Sequence, residues 1–263
     1  MPAMHSWIVL LGAGVLCGFL NAAASSGSAV TLPLLLTLGL PPAVANGTNR
    51  LPVLVGMATA FWSFQRGGLI PWPFIFRLLP AFLLPALAGA AIASFLPMQA
   101  IRVLVHVAVV LALLLLLVKP QRWLRDGLAL AADARPSPTL QLVMAGVGLW
   151  TGLIVLDSGT YLLISLVLVG GLSLRQASAV KVVLIGLATV ISLAIFILKG
   201  EVNWGSALPL MLGSALGGRL GAALVLGPAA RQWIYRLLIL AIFLEIISMF
   251  WSRLHPTAPV LMM

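Results

Sequence analysis

The sequence predicts an all-α polytopic membrane protein made of two inverted repeats. Each repeat is a broken or re-entrant hairpin followed by three transmembrane helices. Composition is the first reason: 62% of residues are hydrophobic and 8% charged, with a mean hydropathy of +1.17, whereas soluble domains carry about 25% charged residues. The second is the recurrence along the whole chain of apolar runs near or above ~18 residues, the length that crosses a bilayer. These runs are continuous rather than alternating, which excludes a lumenal β-barrel. The third is self-similarity at one offset of 132 residues, which aligns Ser26-Gly27-Ser28 with Ser158-Gly159-Thr160, Gly39 with Gly171, Asn46 with Ser178, Gly68 with Gly200, Trp72 with Trp204 and Gly89 with Gly221. A fixed offset of this kind marks an internal duplication.

In chain order, the first half has apolar segments at 7–24, 28–39, 42–64, 71–95 and 98–118. The second half repeats the order at 139–156, 160–171, 175–198, 204–226 and 230–252. Residues 1–263 therefore form one membrane domain, with repeat one at 7–118, a cytoplasmic connector at 119–138 and repeat two at 139–252. The front end has an apolar stretch without Lys or Arg before it, so it reads as a first membrane segment rather than a secretory leader. The segments 28–39 and 160–171 have about a dozen residues, and at ~1.5 Å per residue they cross little more than half the ~30 Å core. They read as half-helices, each returning from a hairpin tip, one at Ser25–Ser28 and one at Asp157–Thr160. Whether the hairpins re-enter or cross fully, each half has an odd number of crossings, so the halves insert in opposite orientation.

Charge supports this topology. The net charge is +10, and basic residues gather in cytoplasmic loops. Lys119, Arg122, Arg125 and Arg135 place the connector inside, and inversion then brings Arg66, Arg175, Lys181, Arg231 and Arg236 toward the same side. Both termini fall on the outer side of a bacterial inner membrane. The turns Pro71-Trp72 and Asn203-Trp204 suit the interface, where Trp is enriched. No basic face outside the membrane segments suggests nucleic acid. The single Cys17 excludes an internal disulfide, and nothing in the chain calls for a cofactor or metal.

The run of small residues, then Pro33, Gly39-Leu40-Pro41-Pro42 and Ala45-Asn46-Gly47-Thr48 resembles the sulfite exporter TauE/SafE (TSUP) family. In the second half, Ser158-Gly159-Thr160, Gly171-Leu172-Ser173, Val202-Asn203-Trp204 and Leu208-Pro209 are similar to it as well. The resemblance covers about residues 7–252. The family's tip is typically Gly-Ile-Gly-Gly-Gly, whereas here it is Ala24-Ser25-Ser26-Gly27-Ser28 and Leu156-Asp157-Ser158-Gly159-Thr160. The resemblance implies transport of sulfite, sulfonates or related small anions.

The residues themselves point to an anion. The first turn of a half-helix offers unpaired N–H groups backed by the positive end of its dipole, a ready anion site. Ser28 and Thr160 stand where natural N-caps would be, Gly27 and Gly159 let the chain turn and a ligand approach, and Ser25, Ser26 and Ser158 add hydroxyl donors. The same residues read equally as caps that satisfy their own backbone. Asn21 precedes the first tip. Asn46, Asn49 and Arg50 follow on the next span, where Asn46 and Arg50 share a face. Ser178 and Lys181 do likewise in the second half. Arg50 is too deep to snorkel easily, and either pairs structurally or meets substrate; Lys181 has the same alternatives and can snorkel. Asp157 carries a coupling proton, pairs with Lys181 or Arg50, or caps its half-helix. In the first case Asp157→Asn is expected to flatten the pH dependence of transport in proteoliposomes, and an unchanged pH profile removes the carboxyl from the coupling step.

Together these features predict a non-enzyme: a secondary-active exporter of small anions, its site between two hairpin tips near mid-membrane. An anion channel and a non-transporting membrane scaffold are the alternatives. The expected partners are the anion and the lipid bilayer. Proton coupling, sodium coupling and a homo-oligomer are all compatible with the sequence.

Overall fold

The computed structural model describes residues 4–24, 27–93, 114, 135–153, 158–240 and 243. The tip residues Ser25, Ser26 and Asp157, the segment 98–118 apart from Leu114, most of the connector and most of the end of the last segment lie outside the described residues. The described residues are helical, without strands. They form α1 (Met4–Ala23), α2 (Ser28–Thr37), α3 (Pro42–Arg66), α4 (Trp72–Ala93), α5 (Pro138–Leu153), α6 (Ser158–Leu168), α7 (Leu174–Leu198) and α8 (Trp204–Leu226), with a further helix, α9, over 230–240.

Local chemistry sets the ends. Pro42 opens α3 at a position where its missing N–H costs nothing. Ser173 caps α7 in a capping box: its hydroxyl accepts the Gln176 N–H at 3.3 Å, and Gln176 Oε1 accepts the Ser173 N–H at 3.4 Å. Asn203 caps α8 by accepting the Ser206 N–H at 2.9 Å. Gly39, Gly68, Gly171 and Gly200 close α2, α3, α6 and α7 with φ of 83°, 65°, 69° and 70°. They fall into two pairs 132 residues apart, and all four helices stop by the same left-handed device.

The helices α2 and α6 are short, at 10 and 11 residues. Three described helices, Trp72–Gly89, Leu174–Leu198 and Trp204–Leu226, are long and apolar enough to cross a membrane. The 25 residues of α3 also suffice in length, but Asn46, Thr48, Asn49 and Arg50 dilute its apolar character.

Packing gives the directions. Along the α1–α8 contact, a methyl built on Gly14 would lie 2.3 Å from the Leu210 oxygen, and on Gly18 2.2 Å from the Ser214 oxygen. On Gly213 and Gly217 it would lie 2.0 Å from the Leu11 and Val15 oxygens. The numbers rise together, so α1 and α8 run parallel, backbone against backbone. The same holds for α4 and α5, where Gly148 meets the Phe82 oxygen and Gly89 the Leu149 oxygen, each at 2.2 Å. The start and end of α3 touch those of α8, through Gly47 on Glu201 and Gly67 on Leu226. The start of α3 also meets the end of α7, where Arg50 Nη1 donates to Ser192 Oγ at 3.1 Å. Thus α1, α3 and α8 point one way, and α4, α5 and α7 the other. At the α3–α8 start, Thr48 Oγ1 accepts the Asn203 N–H at 2.8 Å. Thr48→Val leaves that N–H unpaired and is expected to cost about 1–3 kcal/mol, read as a lower melting temperature in detergent.

Among the described residues the core is mostly apolar with polar and charged side chains buried within it, and large apolar side chains cover the outside. Arg50, Lys181, Asn49, Thr48 and Ser178 are buried, while Leu198, Leu142, Ile8 and Phe76 are exposed. An exterior of this kind suits hydrocarbon rather than water. This is an integral membrane protein. Arg77 and Arg219 are exposed on α4 and α8.

Candidate functional site

The first hairpin, α1–α2, is closed by its own side chains. Asn21, in the last turn of α1, accepts the Gly27 N–H on Oδ1 at 3.1 Å, and its Nδ2 lies 3.4 Å from Cys17 Sγ. Two expectations change here. Gly27 itself is the N-cap of α2 and makes no side-chain cap bond, so Ser28 is the first residue inside the helix and not its cap. Thr160 likewise lies within α6, which starts at Ser158. The cause is the same in both: the preceding small residues have already turned into helix. Gly27 has φ −61°, so no left-handed turn demands glycine. Close approach does, because a methyl there would lie 2.2 Å from the Cys17 oxygen.

Around this hairpin lies a buried polar cluster. Thr31, on α2, donates from Oγ1 to Asn49 Oδ1 of α3. From α7, the Lys181 ammonium reaches the end of α1 and donates to the carbonyl oxygens of Asn21, Ala22 and Ala24 at 2.8, 3.3 and 2.9 Å. Lys181 is fully buried. The expected pairing with Asp157 lies outside the described residues; the contacts that hold Lys181 are backbone carbonyls.

Arg50 sits elsewhere. Its side chain crosses to α7, donating to Ser192 and lying 5.7 Å from the Phe196 ring centroid. Its Nε is buried without a partner. No carboxylate among the described residues neutralises it. Lys181 and Ser192 are separated by about 16 Å along α7 at ~1.5 Å per residue, so the two cations stand at two levels rather than in one cluster. Ser178, one turn before Lys181, is fully buried with Oγ unpartnered. Ser158, Gly159 and Thr160 are buried in the first turn of α6, and Asn46 is half-buried at the start of α3.

The structure thus gathers Asn21, Gly27, Asn49 and Lys181 at the first hairpin, and sets Arg50 apart between α3 and α7. Sequence reasoning missed Thr31, Cys17, Ser192 and Phe196. A hydroxyl inside the short apolar run of α2 was a usable signal for Thr31. A serine deep in the apolar second half of α7 gave none for Ser192. Among the described residues no three His, Cys, Asp or Glu come together as metal ligands.

Apolar helices long enough to span a membrane, glycine-mediated backbone contacts between them, and buried cations define a polytopic helical membrane protein. The family model "Sulfite exporter TauE/SafE" matches residues 10–249. The chain belongs to the sulfite exporter TauE/SafE family of membrane transporters. Among its relatives is the "probable membrane transporter protein ORF9" of Sinorhizobium sp, 27% identical over 235 residues, covering 87% of each chain. A "probable membrane transporter protein" of Haemophilus influenzae is 28% identical over 230 residues, covering 83% of this chain and 84% of its own. The "probable membrane transporter protein YfcA" of Escherichia coli K12 is 26% identical over 225 residues, covering 83% and 80%. No solved structure matches the chain.

Proposed function

We propose that this protein is a secondary-active exporter of small anions, sulfite, organosulfonates or related sulfur and carboxylate anions, working by alternating access between two inverted repeats. The observation that carries the reading is Arg50. A guanidinium buried at membrane depth, with a hydroxyl and a ring face beside it, an unpartnered Nε and no carboxylate among the described residues, reads as an incomplete ion pair. An isolated buried charge costs several kcal/mol, and an oxyanion is the chemistry that completes it. Arg suits the task because its planar fork takes two oxygens of a sulfonate, sulfite or carboxylate together.

Helix directions support the inversion. The segments α1, α3 and α4 correspond at the 132-residue offset to α5, α7 and α8. Each member of a pair runs opposite to its counterpart, and the first helix of each half packs parallel to the last described spanning helix of the other. Arg66, Arg175, Arg231 and Arg236 lie at the end where α3 and α8 finish and α7 begins. Lys199 lies at the other end. The positive-inside rule makes the first end cytoplasmic, with the connector there and the N-terminus outside.

The test is counterflow in proteoliposomes. Vesicles loaded with unlabelled sulfite, an organosulfonate or a carboxylate should accumulate the labelled anion transiently. An open channel only equilibrates it, and a scaffold moves none. Equilibration without overshoot, or no uptake of any anion, would contradict the proposal.

A further inference from the structure

We infer that Lys181 is a positioning residue that fixes the first hairpin from across the repeat boundary, rather than a ligand of the transported anion. This rests on the transport reading above, but its geometry stands independently. An ammonium has three N–H donors. Lys181 Nζ lies within hydrogen-bond distance of the Asn21, Ala22 and Ala24 carbonyls, as many acceptors as it has donors, so among the described residues these carbonyls occupy it in this conformation. Those carbonyls belong to the last turn of α1 and the residue that follows it, where the helix itself cannot pair them and its dipole has its negative end. No water in the bilayer core can serve them. The lysine therefore does for α1 what a C-cap does for a soluble helix, but from the other half of the molecule.

The equivalent position deepens the inference. At the 132-residue offset Lys181 corresponds to Asn49. Asn49 accepts from Thr31 on α2, while Lys181 grips the end of α1. The same position on the two corresponding helices, α3 and α7, thus holds the two arms of one hairpin, and Asn21 ties those arms together through the Gly27 N–H. A displacement of α7 against α3 pulls one arm against the other. Lys181 is placed to pass movement of the second half to the first tip, which affects turnover more than affinity.

Ser28, half-buried at the start of α2, gives a readout that needs no substrate. In Ser28→Cys protein the other thiol, Cys17, is fully buried. Adding Lys181→Met should speed maleimide labelling at position 28 by about tenfold or more, as the uncapped hairpin opens locally. In counterflow, Lys181→Met should lower the maximal rate by at least about tenfold while KM stays within about twofold. Lys181→Arg retains charge and donors, so it should label like wild type and lose rate only. Unchanged labelling in Lys181→Met overturns the inference. A raised KM with the rate preserved, in either variant, makes Lys181 an anion ligand and overturns it equally. If Lys181→Met yields no folded protein, the split between rate and KM in Lys181→Arg decides. If wild type transports no anion, the transport proposal fails while the labelling result still judges the hairpin clamp.

Discussion

Arg50→Met is expected to abolish saturable anion transport while leaving the anion-free protein as stable as wild type or more so. The two effects have one cause. Among the described residues Arg50 has Ser192 and the Phe196 ring beside it and its Nε unpartnered, so in the proposed site it is a buried charge whose cost is not recovered in the empty state. Replacing such a group by an apolar side chain of similar length is often neutral or stabilising, by about 1–4 kcal/mol. The same change removes the group that binds the anion. Truncating one partner of a buried charge pair typically costs about 2–5 kcal/mol of binding, a loss of at least about 30-fold in affinity. Arg50→Lys should retain part of the binding, since a point charge replaces a planar fork. A structural arginine predicts the reverse of the stability result, with a melting temperature that falls whether or not anion is present. Melting curves with and without sulfite or a sulfonate separate the two.

Gly217→Val is expected to disrupt the fold outright. A methyl at this position would lie 2.0 Å from the Val15 oxygen and 2.8 Å from the Phe19 nitrogen. Both are backbone atoms of α1, so no rotamer change relieves the clash, and the helices must separate along their length. Overpacking of well-packed interiors costs about 1–3 kcal/mol; against rigid backbone the loss should exceed ~3 kcal/mol, seen as aggregation on detergent extraction or a collapsed melting temperature. Gly186, inside α7, has nothing within 4 Å of the added methyl. Gly186→Ala should be neutral or stabilise by about 0.5–1 kcal/mol through helix propensity. If both substitutions behave alike, the parallel α1–α8 contact is not as described.

Much of this architecture was legible because membrane helices announce themselves by length and apolarity. The span 204–226 is met by α8 at both ends, and 28–39 and 160–171 appear as short helices close to their expected limits. The turns were legible through glycine, since Gly39, Gly68, Gly171 and Gly200 recur at one offset and all adopt positive φ. Partnerships were less legible. Lys181 reads as a candidate ligand because sequence shows charge and depth, but its partners are carbonyls, which every helix end offers and no residue letter marks. Arg50 and Lys181 read as members of one site because they occupy nearly equivalent positions of two repeats. Antiparallel packing of α3 on α7 instead sets them at different levels. Caps were misplaced for a simpler reason: in Gly27-Ser28 and Ser158-Gly159-Thr160 several adjacent small residues can each start a helix, and propensity does not choose among them.

Calorimetric titration of the purified protein with sulfite, sulfate, thiosulfate, organosulfonates and matched carboxylates addresses the buried-cation site most directly, with wild type set beside Arg50→Met. The account predicts saturable binding of at least one oxyanion to wild type and none to the variant, with the variant folded and no less stable. Binding of the same anion with equal affinity by Arg50→Met would contradict it.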